Sequence, residues 1–177
     1  ARLGWRGAQP IVAAHAQEPL PEGAVVPALA ALNLPDVDVV GRAVGKVLAA
    51  LGKPRRVGLI VPDAVGKVSL VRFERVPPKD TDLAELVRWQ VKKTAPFPMD
   101  QAVVSFTEGA VPAEGGREFV VTAARADIVQ QYEAACQIGG ARAGLVDLAT
   151  LSLVNGVLAA PASSAGDWLL VHVTTAS

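Results

Sequence analysis

Gly66-Lys67 is the pair of residues in this chain whose types come closest to phosphate chemistry. A phosphate loop needs a glycine five positions before Gly66, where Val61 stands, and a Ser or Thr after the lysine, where Val68 stands. The pair therefore reads as the solvated start of a strand. No Gly-x-Gly-x-x-Gly and no His-Glu-x-x-His occurs, and the two histidines, His15 and His172, are too far apart in sequence to suggest a metal site. No serine lies in a nucleophile-elbow context. The single cysteine, Cys136, falls on the apolar stripe of a helix and reads as a core residue; alone, it excludes an internal disulfide. What remains is recognition chemistry. Trp89, beside Arg88, lies off the apolar stripe of its helix, and Phe97 sits between Pro96 and Pro98. Trp89 reads either as a contact to a neighbouring subdomain or as a partner-binding anchor, since aromatic and Arg side chains dominate interface energetics. Arg88 reads as a surface residue and Phe97 as a rigid apolar plug.

The element that carries Trp89 is a helix over 81–95, with Leu83, Leu86, Val87, Gln90 and Val91 as its core stripe. Asp80 or Thr81 is placed to cap it. Asp82 and Glu85 suit the positive end of the helix dipole, and Lys92 and Lys93 the negative end. Pro96 stops it, and Ala95 before the proline is already pushed out of the helical region. Around it, apolar spacing predicts strands over 10–16, 56–61, 67–76, 103–108, 118–123, 144–146 and 168–173. In the strand over 67–76, Val68, Leu70 and Arg72 share one face, and Ser69, Val71 and Phe73 the other. Helices are expected over 37–51, capped by Asp36 or Asp38 and ended by Gly52, over 127–138, with Ile128, Tyr132, Ala135 and Cys136 inward, and over 148–160, capped by Asp147. Residues 18–35 form a proline-stiffened connection, 112–116 a hairpin-type connection and 161–167 a linker.

The bulk numbers narrow the function classes. A hydrophobic share of 51% permits a packed core in 177 residues. Seventeen basic residues balance 17 acidic ones, which removes the electrostatic argument for nucleic acid as a partner. No stretch of about 18 uncharged apolar residues is present to span a membrane. The start carries neither Met nor a signal-peptide pattern, and the last apolar run leaves only four residues after it, so the sequence reads as a piece of a longer protein. Strand and helix alternate throughout, which points to α/β layers with a small α+β module inserted in a larger unit.

Several of these pieces together resemble a known family. Arg88-Trp89 followed by Pro96-Phe97-Pro98 is similar to a signature of the PilM family of type IV pilus assembly proteins. Val57-Gly-Leu-Ile-Val-Pro-Asp63, Val104-Ser-Phe106 and Leu145-Val-Asp-Leu-Ala-Thr-Leu-Ser-Leu-Val-Asn155 resemble further pieces of that family in order and spacing, over most of 54–155. FtsA and the cytoplasmic part of the type II secretion protein GspL share its superfamily. The resemblance implies an actin-like, ribonuclease H-like first domain, present in part, with an inserted α+β subdomain of the FtsA/PilM type. Residues 1–66 and the return helix 147–162 would belong to the first large subdomain, 67–146 to the insert, and 163–177 to a linker and the first strand of a second domain.

The implied function is that of a cytoplasmic scaffold, peripheral at the inner membrane. It would hold the N-terminal tail of a PilN-like membrane protein and contact other pilus platform proteins; self-association through the same surface of the insert is an alternative that the sequence leaves open. A GspL-like place in type II secretion is the alternative apparatus. The partner groove is expected as an apolar cleft between the insert and the larger subdomain, with Trp89, Phe97, Leu70, Phe73 and Arg88 as candidates. Relatives bind ATP with Mg²⁺, and the resemblance places His172, Thr174 and Thr175 at the second phosphate loop. His172 stands where that loop has Asp, and Thr174 where it has Gly. Imidazole is a poor substitute for an oxygen ligand of a hard cation, and a Cβ hinders the close backbone approach that glycine allows. The sequence therefore favours a scaffold over an ATP-driven switch or a weak ATPase.

Overall fold

A computed structural model describes residues 1–7, 9–109, 115–159 and 169–173. Contacts divide the chain into two compact units. One comprises Ala1–Val26, Asn33–Pro62 and Gln130–Ser177; the other comprises Pro27–Leu32 and Asp63–Val129.

The first unit contains a parallel strand pair. β3 (Arg56–Val61) lies beside β7 (Arg142–Leu148), with Arg56 opposite Arg142 and Val61 opposite Leu148. It also holds an antiparallel hairpin of β1 (Arg2–Arg6) and β2 (Gln9–Ala14), with Leu3 opposite Val12 and Trp5 opposite Pro10. β1 was not expected: five residues with a glycine at their centre give no usable period. Grouping 67–146 as one insert puts β7 with the wrong partners, because its hydrogen bonds go to β3. Two helices accompany these strands, α1 (Val37–Ala50) and α4 (Ala149–Leu158). α1 starts as read: the Asp36 carboxylate accepts from the backbone N–H groups of Asp38 and Val39 at 3.0 and 3.1 Å. α4 starts differently. Its N-cap is Leu148, with no side-chain bond, because Asp147 still pairs with Ile60 in the sheet. The Asp147 carboxylate instead accepts from the Leu148 N–H at 2.9 Å and the Ser152 hydroxyl at 2.7 Å.

α3 (Ala126–Ile138) buries Ile128, Tyr132, Ala135 and Cys136 as its period requires. Its end packs closely on α1: a Cβ on Gly41 would come within 2.5 Å of Ile138. Only glycine permits that approach. A buried polar knot ties α3 to the chain before α1. The Tyr132 hydroxyl donates to Asn33 Oδ1 at 3.0 Å, and Gln131 Oε1 accepts from the Asn33 N–H at 2.8 Å.

The second unit is a three-stranded antiparallel sheet with one helix on it. The strand order is β4 (Gly66–Phe73), β6 (Arg117–Arg125), β5 (Ala102–Glu108), so the last strand in sequence lies in the middle. α2 (Asp80–Lys92) lays Leu83, Val87 and Val91 on Val71, Phe119 and Val121. The expected Asp80 or Thr81 cap does not form: Lys79 is the N-cap, without a side-chain bond, and Asp80 is already helical. Lys79, after Pro77-Pro78, enters in extended conformation, and the Leu83 N–H reaches its carbonyl at 3.1 Å to close the first turn.

The expected final strand is not found. Leu169–Val173 carry no strand hydrogen bonds among the described residues, and Leu169 is 86% exposed. An apolar run forms a strand only when a neighbour pairs with it. Most of the 112–116 connection, all of the 161–167 linker and Trp168 lie outside the described residues.

Candidate partner-binding surface

The core of the second unit decides which of its side chains remain for recognition. Phe119 on the central strand is the hub. Phe73 meets it at a ring separation of 6.0 Å and Phe106 at 5.9 Å, the latter edge-on at 81°. Val104, Val76 and Met99 pack against the same cluster. Phe73 is thus half-buried, its ring turned by the alternation of β4 onto the core cluster rather than to the Leu70 face. Phe97 is buried as well, so the Pro96-Phe97-Pro98 exit works as a plug. Arg88 is not a free surface residue: its guanidinium donates to the Met99 carbonyl at 2.7 Å and pins that exit to the helix. Lys67, read as a solvated strand start, is half-buried and donates to the Thr94 carbonyl just past the end of α2.

Two of the expected residues do face solvent, on opposite sides of this unit. Trp89 is 57% exposed on the side of α2 that points away from the sheet. Lys93, one turn on, stands with its Nζ 3.9 Å from the ring centroid. The pair presents a flat apolar face with a fixed positive charge above it. Leu70 is 67% exposed on the sheet face away from α2. Val68 on the same strand and Val103 on β5 are exposed with it, and Val120 lies opposite Leu70 in register. The five candidates therefore do not form one patch. They divide into a helix face around Trp89, a sheet face around Leu70, and three residues that hold the scaffold. The Lys93 contact was legible in the i, i+4 spacing, and Val103 in the alternation of β5.

Ion pairs frame the sheet. Arg117 grips Glu108 with two hydrogen bonds of 2.7 Å, which lowers the Glu108 carboxyl below its ordinary value and raises the Arg117 guanidinium. Arg125 holds Asp127 in the same way and donates to the Ala30 carbonyl, so the Asp127 carboxyl is also lowered.

Of the residues implied for ATP and Mg²⁺, only His172 is described. His172 is exposed in a segment without secondary structure, and Thr174 and Thr175 lie outside the described residues. An imidazole supplies no carboxylate for a magnesium shell. Among the described residues no group of three or more His, Cys, Asp or Glu could hold a metal, and no helix is long and apolar enough to cross a membrane.

No protein-family model and no curated protein matches the chain. A solved structure does: a chain of the "PilM-PilN type IV pilus biogenesis complex", with a TM-score of 0.72 and 19% sequence identity. The match covers 86% of this chain and 45% of that one, so the present chain spans about half the length of the protein it is similar to. At this identity the likeness is one of fold, and the fold of the chain is PilM-like.

Proposed function

We propose that this chain is part of a PilM-like scaffold that binds the N-terminal tail of a PilN-like membrane protein and so ties a pilus assembly platform to the cytoplasmic side of the inner membrane. The observation that carries the reading is the fold likeness to a chain solved within a PilM–PilN complex. The actin-like domain expected from the sequence accords with the parallel β3–β7 pair and the separate sheet between them in sequence. Trp89 supplies the anchor: an exposed aromatic ring with Lys93 over it suits a peptide carrying apolar side chains and an acidic group. The outward sheet face around Leu70 suits self-association or a further platform protein.

The test is a fluorescence-anisotropy titration with the N-terminal peptide of the PilN-like protein from the same genome. Saturable binding is expected, weakened about thirtyfold by Trp89→Ala, the loss of one hot-spot side chain. The thermal midpoint should hold, since Trp89 takes no part in the core. Unchanged binding by a folded Trp89→Ala variant places the anchor elsewhere. Absence of peptide binding by the parent chain removes the scaffold reading.

A further inference from the structure

Five cations gather at one end of the first unit. β3 and β7 both begin with arginine, and these two, Arg56 and Arg142, are neighbours in register. Arg55 precedes them, its carbonyl accepting from the Arg142 N–H at 2.9 Å. Lys53 occupies the turn before β3, at φ 55°. The Arg2 guanidinium, from the hairpin, lies 3.5 Å from where a side chain on Gly52 would begin. All five are exposed, and among the described residues none is held in an ion pair. Arg55 and Arg142 line a recess with Gln137, Gly140 and Glu133, the one acid in its lining. In a chain whose formal charge is zero, this is a strong local excess.

The charge is not consumed by the helices that end here. The last carbonyls of α1 are taken by its own exit: the Lys53 N–H bonds Leu48 at 2.8 Å and the Leu51 N–H bonds Val47 at 3.1 Å. At the end of α3, the Ala141 N–H bonds Cys136 and the Gly140 N–H bonds Gln137, both at 3.0 Å, with Gly140 at φ 94°. Each helix end leaves only about half a negative charge, which five cations outweigh. Four of the five are arginines, whose planar fork matches phosphate oxygens in pairs. The hairpin that carries Arg2 also exposes Leu3, Trp5 and Val12, and residues 1–17 contain no acid. Cations on a unit whose hairpin also exposes a tryptophan and aliphatic side chains suit the headgroup layer of a bilayer better than they suit an acidic protein segment.

We propose that this end of the first unit docks on an anionic membrane surface, with Arg55 and Arg142 taking a lipid phosphate in the recess between them. This contact is separate from the tail-binding role and would act beside it.

Co-sedimentation of the whole chain with vesicles tests it, using phosphatidylcholine alone and phosphatidylcholine with phosphatidylglycerol in equal parts. The chain is expected to pellet with the anionic vesicles only, and less so as sodium chloride is raised. The Arg55→Ala, Arg142→Ala double variant should bind about thirtyfold more weakly, the factor two basic side chains carry near such a surface. Arg55→Glu alone, at an exposed turn, serves where the double variant loses its thermal transition. Equal pelleting with both vesicles, or undiminished pelleting of a folded variant, overturns the proposal. Displacement by free glycerol phosphate would make the ligand a soluble phosphate, and displacement by polyglutamate an acidic protein; either overturns the membrane reading. Neither outcome bears on the peptide titration above, so the two readings fail separately.

Discussion

Tyr132 is the single tyrosine of the chain and is buried with its hydroxyl on Asn33. Burial raises its pKa from 10.0 to about 12, because the phenolate would lose its hydration. A raised folded pKa means that the native state binds the proton more tightly than the unfolded one. The stabilisation is complete below pH 10.0 and is lost as pH rises towards about 12. Ultraviolet phenolate absorbance reads this one residue. It should titrate near pH 12 in the folded chain and near 10 in urea. Removal of the partner is a separate test. Asn33→Ala takes the acceptor from a buried hydroxyl and should cost about 1–3 kcal/mol in urea unfolding. The carboxylates behave in the opposite sense. The Glu108 and Asp127 pKa values are lowered by their arginines, so their contribution is present above the ordinary carboxylate range and fades as pH falls through the lowered values. Glu108→Gln should make the acid limb of stability against pH shallower, as read by thermal midpoint.

β4 shows how directly a strand's period becomes a surface. Leu70 and Val71 are neighbours in sequence, yet one is exposed and the other buried under α2. Leu70→Asp should leave the urea midpoint nearly unchanged. Val71→Asp, which places a carboxylate against Phe119, should cost about 3 kcal/mol or more. This alternation was legible in the sequence, as were the core stripe of α2, the Asp36 cap and the inward face of α3, because each depends on a local period or an adjacent side chain. What was not legible depends on partners distant in sequence. Phe73 was grouped with Leu70 as recognition surface, although strand parity puts them on opposite faces and Phe119, forty-six positions away, claims the ring. Arg88 and Lys67 were read as solvated, and both are spent on carbonyls of their own unit. The caps of α2 and α4 shifted because Pro77-Pro78 and the β7 pairing fix the entering backbone before any side chain can act.

For the molecule as a whole, the likeness in fold covers 45% of the protein it matches, so any nucleotide site has to be judged from the residues present. At the position where the resemblance implies a carboxylate, these offer the imidazole of His172. Thermal-shift titration with Mg-ATP should therefore show no saturable stabilisation; a site filled at a hundredfold over its Kd would add about 2.7 kcal/mol and be plain in the midpoint. The order of strands carries a further consequence, for the moment of synthesis. In the second unit the middle strand, β6, is made last, so β4 and β5 leave the ribosome with nothing to pair with. β3 waits longer still, for β7, with all of the second unit emerging in between. At roughly 5–20 residues per second that is several seconds of unpaired apolar strand. Completion of β6 should let the second unit close while the first is still open. Stalled chains released just past Val129 would be protease-resistant over 63–109 and 115–129, and cut readily over 37–61.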